Sequence, residues 1–257
     1  MSAEESDPGS WEEFFAQYGQ PGDPEYHNNV GIAHRMEGDL DGAIREYREA
    51  ICLKPGDVRF HCNLASVWAE KGEYEEALRG YEQALRLDPN DAVTHFNLGN
   101  LLRKTERDEE AMAEYQRAIE LEPERTDACY ALANCYWDRE QWQEAATCYA
   151  QALAATPDAS VAGLAHLRLG LHYIDKRVWD EAETHLLEAR DEDPFMANYG
   201  LAIVYLNMPV GAEPAWVFPS KAIIHARKAV ELQPEDEDAL HIARAALAAY
   251  ERTKPPE

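Results

Sequence analysis

Positive charge is scarce in this chain. Lys and Arg number 24 against 49 Asp and Glu, a formal charge of −25 over 257 residues. Phosphate contacts need Lys and Arg, so nucleic acid is not the expected partner. Strong acidity serves solubility and suppresses nonspecific association. Long apolar runs are also missing: no stretch reaches the roughly 18 residues of a membrane-spanning helix. The opening MSAEESDPGSWEEFF has no basic start and no apolar core of signal-peptide length. Cysteines are few and odd in number (Cys52, Cys62, Cys129, Cys135 and Cys148), without framework spacing. They read as reduced thiols in a cytoplasmic protein. Cys129 and Cys135 fall on different faces of a helix, which argues against a metal pair. No Gly-rich phosphate loop, HExxH, CxxC or GxSxG occurs. The chain is therefore expected to have no catalytic site, no cofactor and no metal.

What is present is a period. Pro55, Pro89, Pro123 and Pro157 fall 34 residues apart, and so do Ala43, Ala77, Ala111 and Ala145. One supersecondary unit is being copied, the signature of a solenoid. The second copy carries His61, Leu64, Ala65, Trp68, Ala77, Tyr81 and Pro89. The third carries His95, Leu98, Gly99, Leu102, Ala111, Tyr115 and Pro123, and the fourth Cys129, Leu132, Ala133, Tyr136, Ala145, Tyr149 and Pro157. The apolar positions follow the i, i+3, i+4, i+7 rule and mark one stripe of a first helix. Small residues at Gly31, Ala65, Gly99, Ala133, Gly170 and Ala202 let a second helix approach closely, and the proline ends that helix.

This pattern resembles the tetratricopeptide repeat (TPR) family. The resemblance implies an all-α fold: a right-handed superhelical α-solenoid of about six helix hairpins plus N-terminal and C-terminal helices. The hairpins are expected at 24–57, 58–91, 92–125, 126–159, 160–196 and 197–236, within one elongated domain at 24–236. An acidic N-terminal segment, 1–23, precedes them, and a capping helix and tail, 237–257, follow. The cap's apolar row reads as Leu240, Ala243 and Leu247. Three extra residues are expected in a loop at 156–163, and more between the helices of the sixth copy at 208–220, where Ser220 reads as an N-cap and Trp216 and Phe218 either as a contact site or as packing against the sixth copy. His27, His61, His95, Cys129 and His166 share one position of successive copies. Neighbouring packed helices lie about 8–10 Å apart, too far for such a row to share one ion.

In the TPR family the face opposite the core stripe lines a concave groove that binds other proteins. On that face the expected peptide-binding residues are Asn29, Arg35, Arg59, Asn63, Phe96, Asn97, Asn100, Arg103, Lys104, Tyr130, Asn134, Trp137, Leu167, Leu171 and Tyr199. Asn29, Asn63 and Asn97 form a ladder, extended by Asn100 and Asn134. A carboxamide both donates and accepts, so the ladder either holds a peptide backbone or stitches adjacent repeats. The first three copies place Arg35, Arg59, Arg103 and Lys104 on this face, whereas the last two place Leu164, Leu167, Leu171, Ile174, Met196, Tyr199, Ile203 and Leu206 there. The expected role is a non-catalytic adaptor holding a protein segment. The alternative is a self-assembling scaffold: Ser10 and Glu13 make a capping box, and Trp11, Phe14, Phe15 and Tyr18 form an aromatic stripe that either caps the first copy or enters a neighbour's groove.

Overall fold

The computed structural model describes residues 22–155, 159–209 and 213–255. The N-terminal aromatic stripe lies outside them. Among the described residues there are thirteen α-helices and no strand. Contacts divide the chain into two compact units, Met1–Pro123 and Glu124–Glu257, parted at the end of the third repeat.

The first unit holds α1 (Pro24–Met36), α2 (Leu40–Leu53), α3 (Val58–Lys71), α4 (Tyr74–Leu87), α5 (Ala92–Lys104) and α6 (Asp108–Leu121). They pair as three hairpins, and each second helix packs on the first helix of the next hairpin. The second unit holds α7 (Thr126–Asp138), α8 (Trp142–Ala155), α9 (Ala159–Asp175), α10 (Trp179–Glu188), a 3₁₀ turn (Ala189–Asp191), α11 (Pro194–Asn207), α12 (Val217–Leu232) and α13 (Glu237–Thr253). Three more hairpins form there, and α13 packs on α11 and α12.

Close packing of small against large residues explains the period. Ala43, Ala77, Ala111, Ala145, Ala182 and Ala222 are all fully buried. So are the large side chains four residues further on in five hairpins, from Tyr47 to Leu186. A Cβ on Gly31 would meet the Tyr47 ring at 2.8 Å, and one on Gly99 the Tyr115 ring at 2.6 Å. The missing methyl group is what seats the aromatic ring.

Asp57 and Asp91 accept from backbone amides at the starts of α3 and α5, and Asp193 and Asp236 do the same for α11 and α13. These are ordinary N-caps. The chain leaves the first helix of the first five hairpins through a left-handed residue: Gly38, Gly72, Glu106, Glu140 and Arg177. Only the first two are glycine, and a side chain at such φ values costs about 1–2 kcal/mol. Glu106→Gly and Glu140→Gly are each expected to stabilise the fold by up to about 1 kcal/mol after the larger unfolded-state entropy of glycine is deducted. Urea midpoints should rise with an unchanged slope; unchanged midpoints would mean that these side chains offset their own strain.

Most of the row of histidines is explained by contacts within a hairpin, whereas His61 bonds the Pro55 carbonyl at 2.9 Å. His27 donates to Glu46 at 2.7 Å and His95 to Glu114 at 2.6 Å, joining the two helices of one hairpin. At the same position His166 bonds His185 (2.8 Å between ring nitrogens), and His225 pairs with Asn198 (2.8 Å). In the fourth hairpin both positions are cysteines. Burial first, and then Cys129, push the Cys148 thiol up to about 11.

Three local expectations need correction. The extra residues before the fifth copy prolong a helix rather than a loop: α9 already begins at Ala159, because 159–162 contain neither Gly nor Pro. Ser220 is not an N-cap. Helix α12 starts at Val217, and the Ser220 hydroxyl donates to the Val217 carbonyl at 2.7 Å. Phe218, in that first turn, stacks on Tyr205 with an interplanar angle of 13°, whereas Trp216 stays half-exposed. In α13 the buried residues are Ala239 and Ala246. The row Leu240, Ala243 and Leu247 lies beside them, with Leu247 49% exposed. Small alanines bring α13 close to its neighbours and turn the larger residues outward.

Candidate functional site

In the first unit, most of the expected groove residues are engaged with neighbouring repeats. Asn63 donates to Asn28 of the preceding repeat at 2.8 Å, and Asn28 contacts Asn29 at 3.5 Å. Asn97 donates to the Cys62 sulfur at 3.4 Å. Asn100 accepts the Tyr115 hydroxyl at 2.8 Å, and in the second unit Asn134 accepts that of Tyr149 at 2.7 Å. In the second hairpin Ser66 takes the same place, 3.0 Å from the Tyr81 hydroxyl. These side chains therefore stitch repeats or satisfy buried tyrosines.

The first hairpin shows what the tyrosine partner is worth. Ile32 stands where Ser66 and Asn100 stand in the next two, and the buried Tyr47 hydroxyl has no hydrogen-bond partner among the described residues. Burial pushes that hydroxyl up to about 12. An unsatisfied buried polar group costs about 1–3 kcal/mol. Tyr47→Phe should therefore be neutral or stabilising, whereas Tyr149→Phe should lose about 1 kcal/mol. Equal losses in thermal melts of the two variants would contradict this account.

The basic face of the first unit is largely neutralised. Arg35 is ion-paired with Glu70 of the next repeat, its Nε donating at 2.8 Å. Arg59 pairs with Asp57 at 2.7 Å and Glu25 at 3.3 Å. Lys104 lies 5.3 Å over the Tyr74 ring, and Phe96 packs on Tyr115 at 5.9 Å. Arg103 is also engaged.

In the second unit Leu167 is only 6% exposed and belongs to the core, which corrects its expected place in the groove. Large apolar neighbours on α10 and α11 enclose it. Met196, Ile174 and Leu206 are half-buried against the same core. Tyr199 is half-buried and stacks on Phe195 at 6.2 Å, and Tyr130 packs on Tyr149 at 5.7 Å.

An open pocket remains. Trp137, Trp142, Leu171, His172 and Asp175 line about 290 Å³. Trp137 and Trp142 meet edge to face at 4.7 Å, and the Arg168 guanidinium lies 4.6 Å over Trp137. The floor is apolar, with a cation beside it and the exposed Asp175 at the rim. The His172 side chain is 6% exposed yet lines the cavity. Burial first, and then Lys176, hold it below the usual imidazole range, so it offers a neutral ring nitrogen. Sequence reasoning named Trp137 and Leu171 but missed Trp142 and His172. Trp142 was legible as the aromatic opening of a second helix. His172 was not, because it sits one residue away from the face considered.

Four histidines of this unit share that direction. Burial is the largest cause for His166, His172, His185 and His225; Lys176 adds to it for His172, His166 for His185, and Arg190 with Lys221 for His225. Glu188 opposes it at His166, Asp175 at His172, Glu181 and Glu188 at His185, and Glu183 at His225. Unfolded, these rings titrate near 6.5. The unfolded chain therefore binds more protons as pH falls through that value. This stability is present above about 6.5 and is lost below it. Amide exchange, corrected for intrinsic rates, should rise more in 124–257 than in 22–123 between about pH 7 and about pH 5. Equal changes in both units would exclude the imidazoles as the cause.

Four tetratricopeptide repeat families match the chain, at residues 9–58, 67–105, 92–125 and 109–167. The chain belongs to the tetratricopeptide repeat family. No curated protein matches it in sequence. Among solved TPR-like structures, YrrB, described as a TPR protein with an unusual peptide-binding site, is 24% identical. It covers 77% of this chain and 97% of its own, with a TM-score of 0.62. The pilF protein of Pseudomonas aeruginosa is 17% identical over 86% of this chain and 96% of its own, with a TM-score of 0.67. MamA is 25% identical over 68% and 94%, with a TM-score of 0.54. These likenesses carry the TPR fold. Among the described residues no helix is long and apolar enough to cross a membrane, and no three His, Cys, Asp or Glu side chains converge as metal ligands.

Proposed function

We propose that this TPR protein is a non-catalytic, cytoplasmic adaptor. It holds an extended segment of another protein along the first-helix face, with one apolar side chain of that segment anchored between Trp137, Trp142 and Leu171. The carrying observation is the pocket. Its aromatic walls suit a Phe, Leu or Met anchor, Arg168 favours an acidic residue next to it, and the His172 nitrogen can pair with a backbone group. The likeness to YrrB, whose description includes a peptide-binding site, supports the same reading.

Selection from a random peptide library displayed on phage tests this. Peptides enriched on the native protein and lost on the Trp142→Ala variant should share one large apolar residue flanked by Asp or Glu. Enrichment of apolar-free or basic peptides would refute the anchor.

A further inference from the structure

The exposed row of α13 lines a groove of about 360 Å³ with α12. A second groove of the same make exists inside the first unit. There Leu78, Glu82, Leu85 and Arg86 of α4 face Leu98 and Leu102 of α5, and α6 supplies the third wall through Glu110 and Glu114. Counted along their helices, Ile223, Arg227, Val230 and Glu231 occupy the positions of the four α4 residues, and Ala243 and Leu247 those of Leu98 and Leu102. Even the N-cap corresponds: Asp236 caps α13 as Asp91 caps α5. Helix α13 is thus the first helix of a seventh hairpin. Among the described residues, nothing packs where α6 stands in the third.

A segment with the character of such a second helix lies at the other end of the sequence. Residues 11–18, Trp-Glu-Glu-Phe-Phe-Ala-Gln-Tyr, repeat the opening of the second helices, Tyr74-Glu75-Glu76 to Tyr81 and Trp142-Gln143-Glu144 to Tyr149. Residues 2–10, with Pro8 and Gly9, carry no apolar stripe that would make a first helix for it. One of the matching repeat families begins at residue 9 and takes this segment in. Size and charge are complementary as well. Phe14 stands where the other second helices have Ala, while Ala243 stands where α5 has Leu98. Glu4, Glu5, Asp7, Glu12 and Glu13 are the charged side chains of residues 1–21. The groove holds Arg227 and Arg244, neither paired with a carboxylate among the described residues, while its one carboxylate, Glu231, is paired with Lys228 at 3.4 Å.

We propose that residues 11–18 of a second copy dock as a helix against α12 and α13, completing the seventh hairpin and joining copies head to tail. Such a contact is heterologous, so it propagates into rings or filaments. It is independent of the Trp137–Trp142 pocket, whose substitutions leave it unchanged.

The test uses full-length variants Phe14→Asp and Leu247→Asp in sedimentation velocity. The native chain should grow beyond a dimer with concentration, and each variant should associate at least about a hundredfold more weakly, close to 3 kcal/mol. Mixed together, the two variants should form a one-to-one dimer and nothing larger, because Leu247→Asp still offers its segment and Phe14→Asp still offers its groove. Since Leu247 is half-exposed, circular dichroism should be unchanged. Arg244→Glu, weakened alone and restored by mixing with Glu12→Arg, is a second route free of core residues. A native chain that stays monomeric overturns the proposal. So does a Phe14→Asp variant that still associates, which would mean a symmetric contact through α13, and so does a Leu247→Asp variant that still associates, which would place the segment elsewhere.

Discussion

Replacing Tyr115 by alanine is expected to remove about 3–5 kcal/mol of stability. The ring is 1% exposed, sits on the bare backbone of Gly99, and donates to Asn100 at 2.8 Å. Its loss opens a cavity between α5 and α6 that α5, held on its other side by α4, cannot collapse to fill. In a chain of this size the melting temperature should fall by roughly 6–20 °C. Because each repeat contacts only its neighbours, the loss should spread from the third hairpin and loosen it first. Exchange protection should fall in 92–121 before anywhere else in the first unit. A loss under about 1 kcal/mol would show that the hairpins slide together, and would remove the argument that the glycine exists to seat the ring.

Leu171→Asp is expected to abolish binding of an apolar-anchored peptide. Leu171 forms a wall of the pocket with Trp137 and Trp142, and it also packs on the core of the second unit. A carboxylate there would lose its hydration when the anchor entered. A buried unpaired charge costs several kcal/mol, which translates to a loss of about a thousandfold or more. Fold and site are separated by a partner variant: Trp142→Ala removes a wall that is 38% exposed, so it should weaken binding while melting stays within about 2 °C of the native chain. Titration of a selected peptide, with both variants checked by circular dichroism, decides. Undiminished binding to a folded Leu171→Asp protein would move the site to another face.

The repeated pattern of residues was enough to expect a solenoid of helix hairpins, because each position of the unit has one steric task and repeats it. The exceptions are instructive. At 159–162 the insertion is helical because its residues permit helix, and spacing says only that residues were added. For α13 the larger residues suggested the buried row, yet the alanines win the core, since close approach of two backbones outweighs the area of one Leu. The candidate groove was harder to read. A helical wheel shows which way Asn63 or Arg35 points, but not that Asn28 or Glu70 of the adjoining repeat meets it there. Such pairings join residues 35 apart, so they become legible only once the stacking of successive repeats is known.

The residues at the paired positions of His27 and Glu46 differ from copy to copy: His with Glu in the first and third, His with Gly in the second, Cys with Cys in the fourth, His with His in the fifth, Asn with His in the sixth. Repeated genes recombine out of register, and a crossover within a hairpin would marry the first half of one copy to the second half of another. Joining the third to the fourth would set His95 against Cys148, and joining the fourth to the third would set Cys129 against Glu114. The pairs thus act as a parity check on the copies. Whole hairpins can be duplicated or lost, but halves drawn from hairpins with different pairs leave a mismatched polar group inside, and a designer grafting such repeats from this protein has to move both halves together.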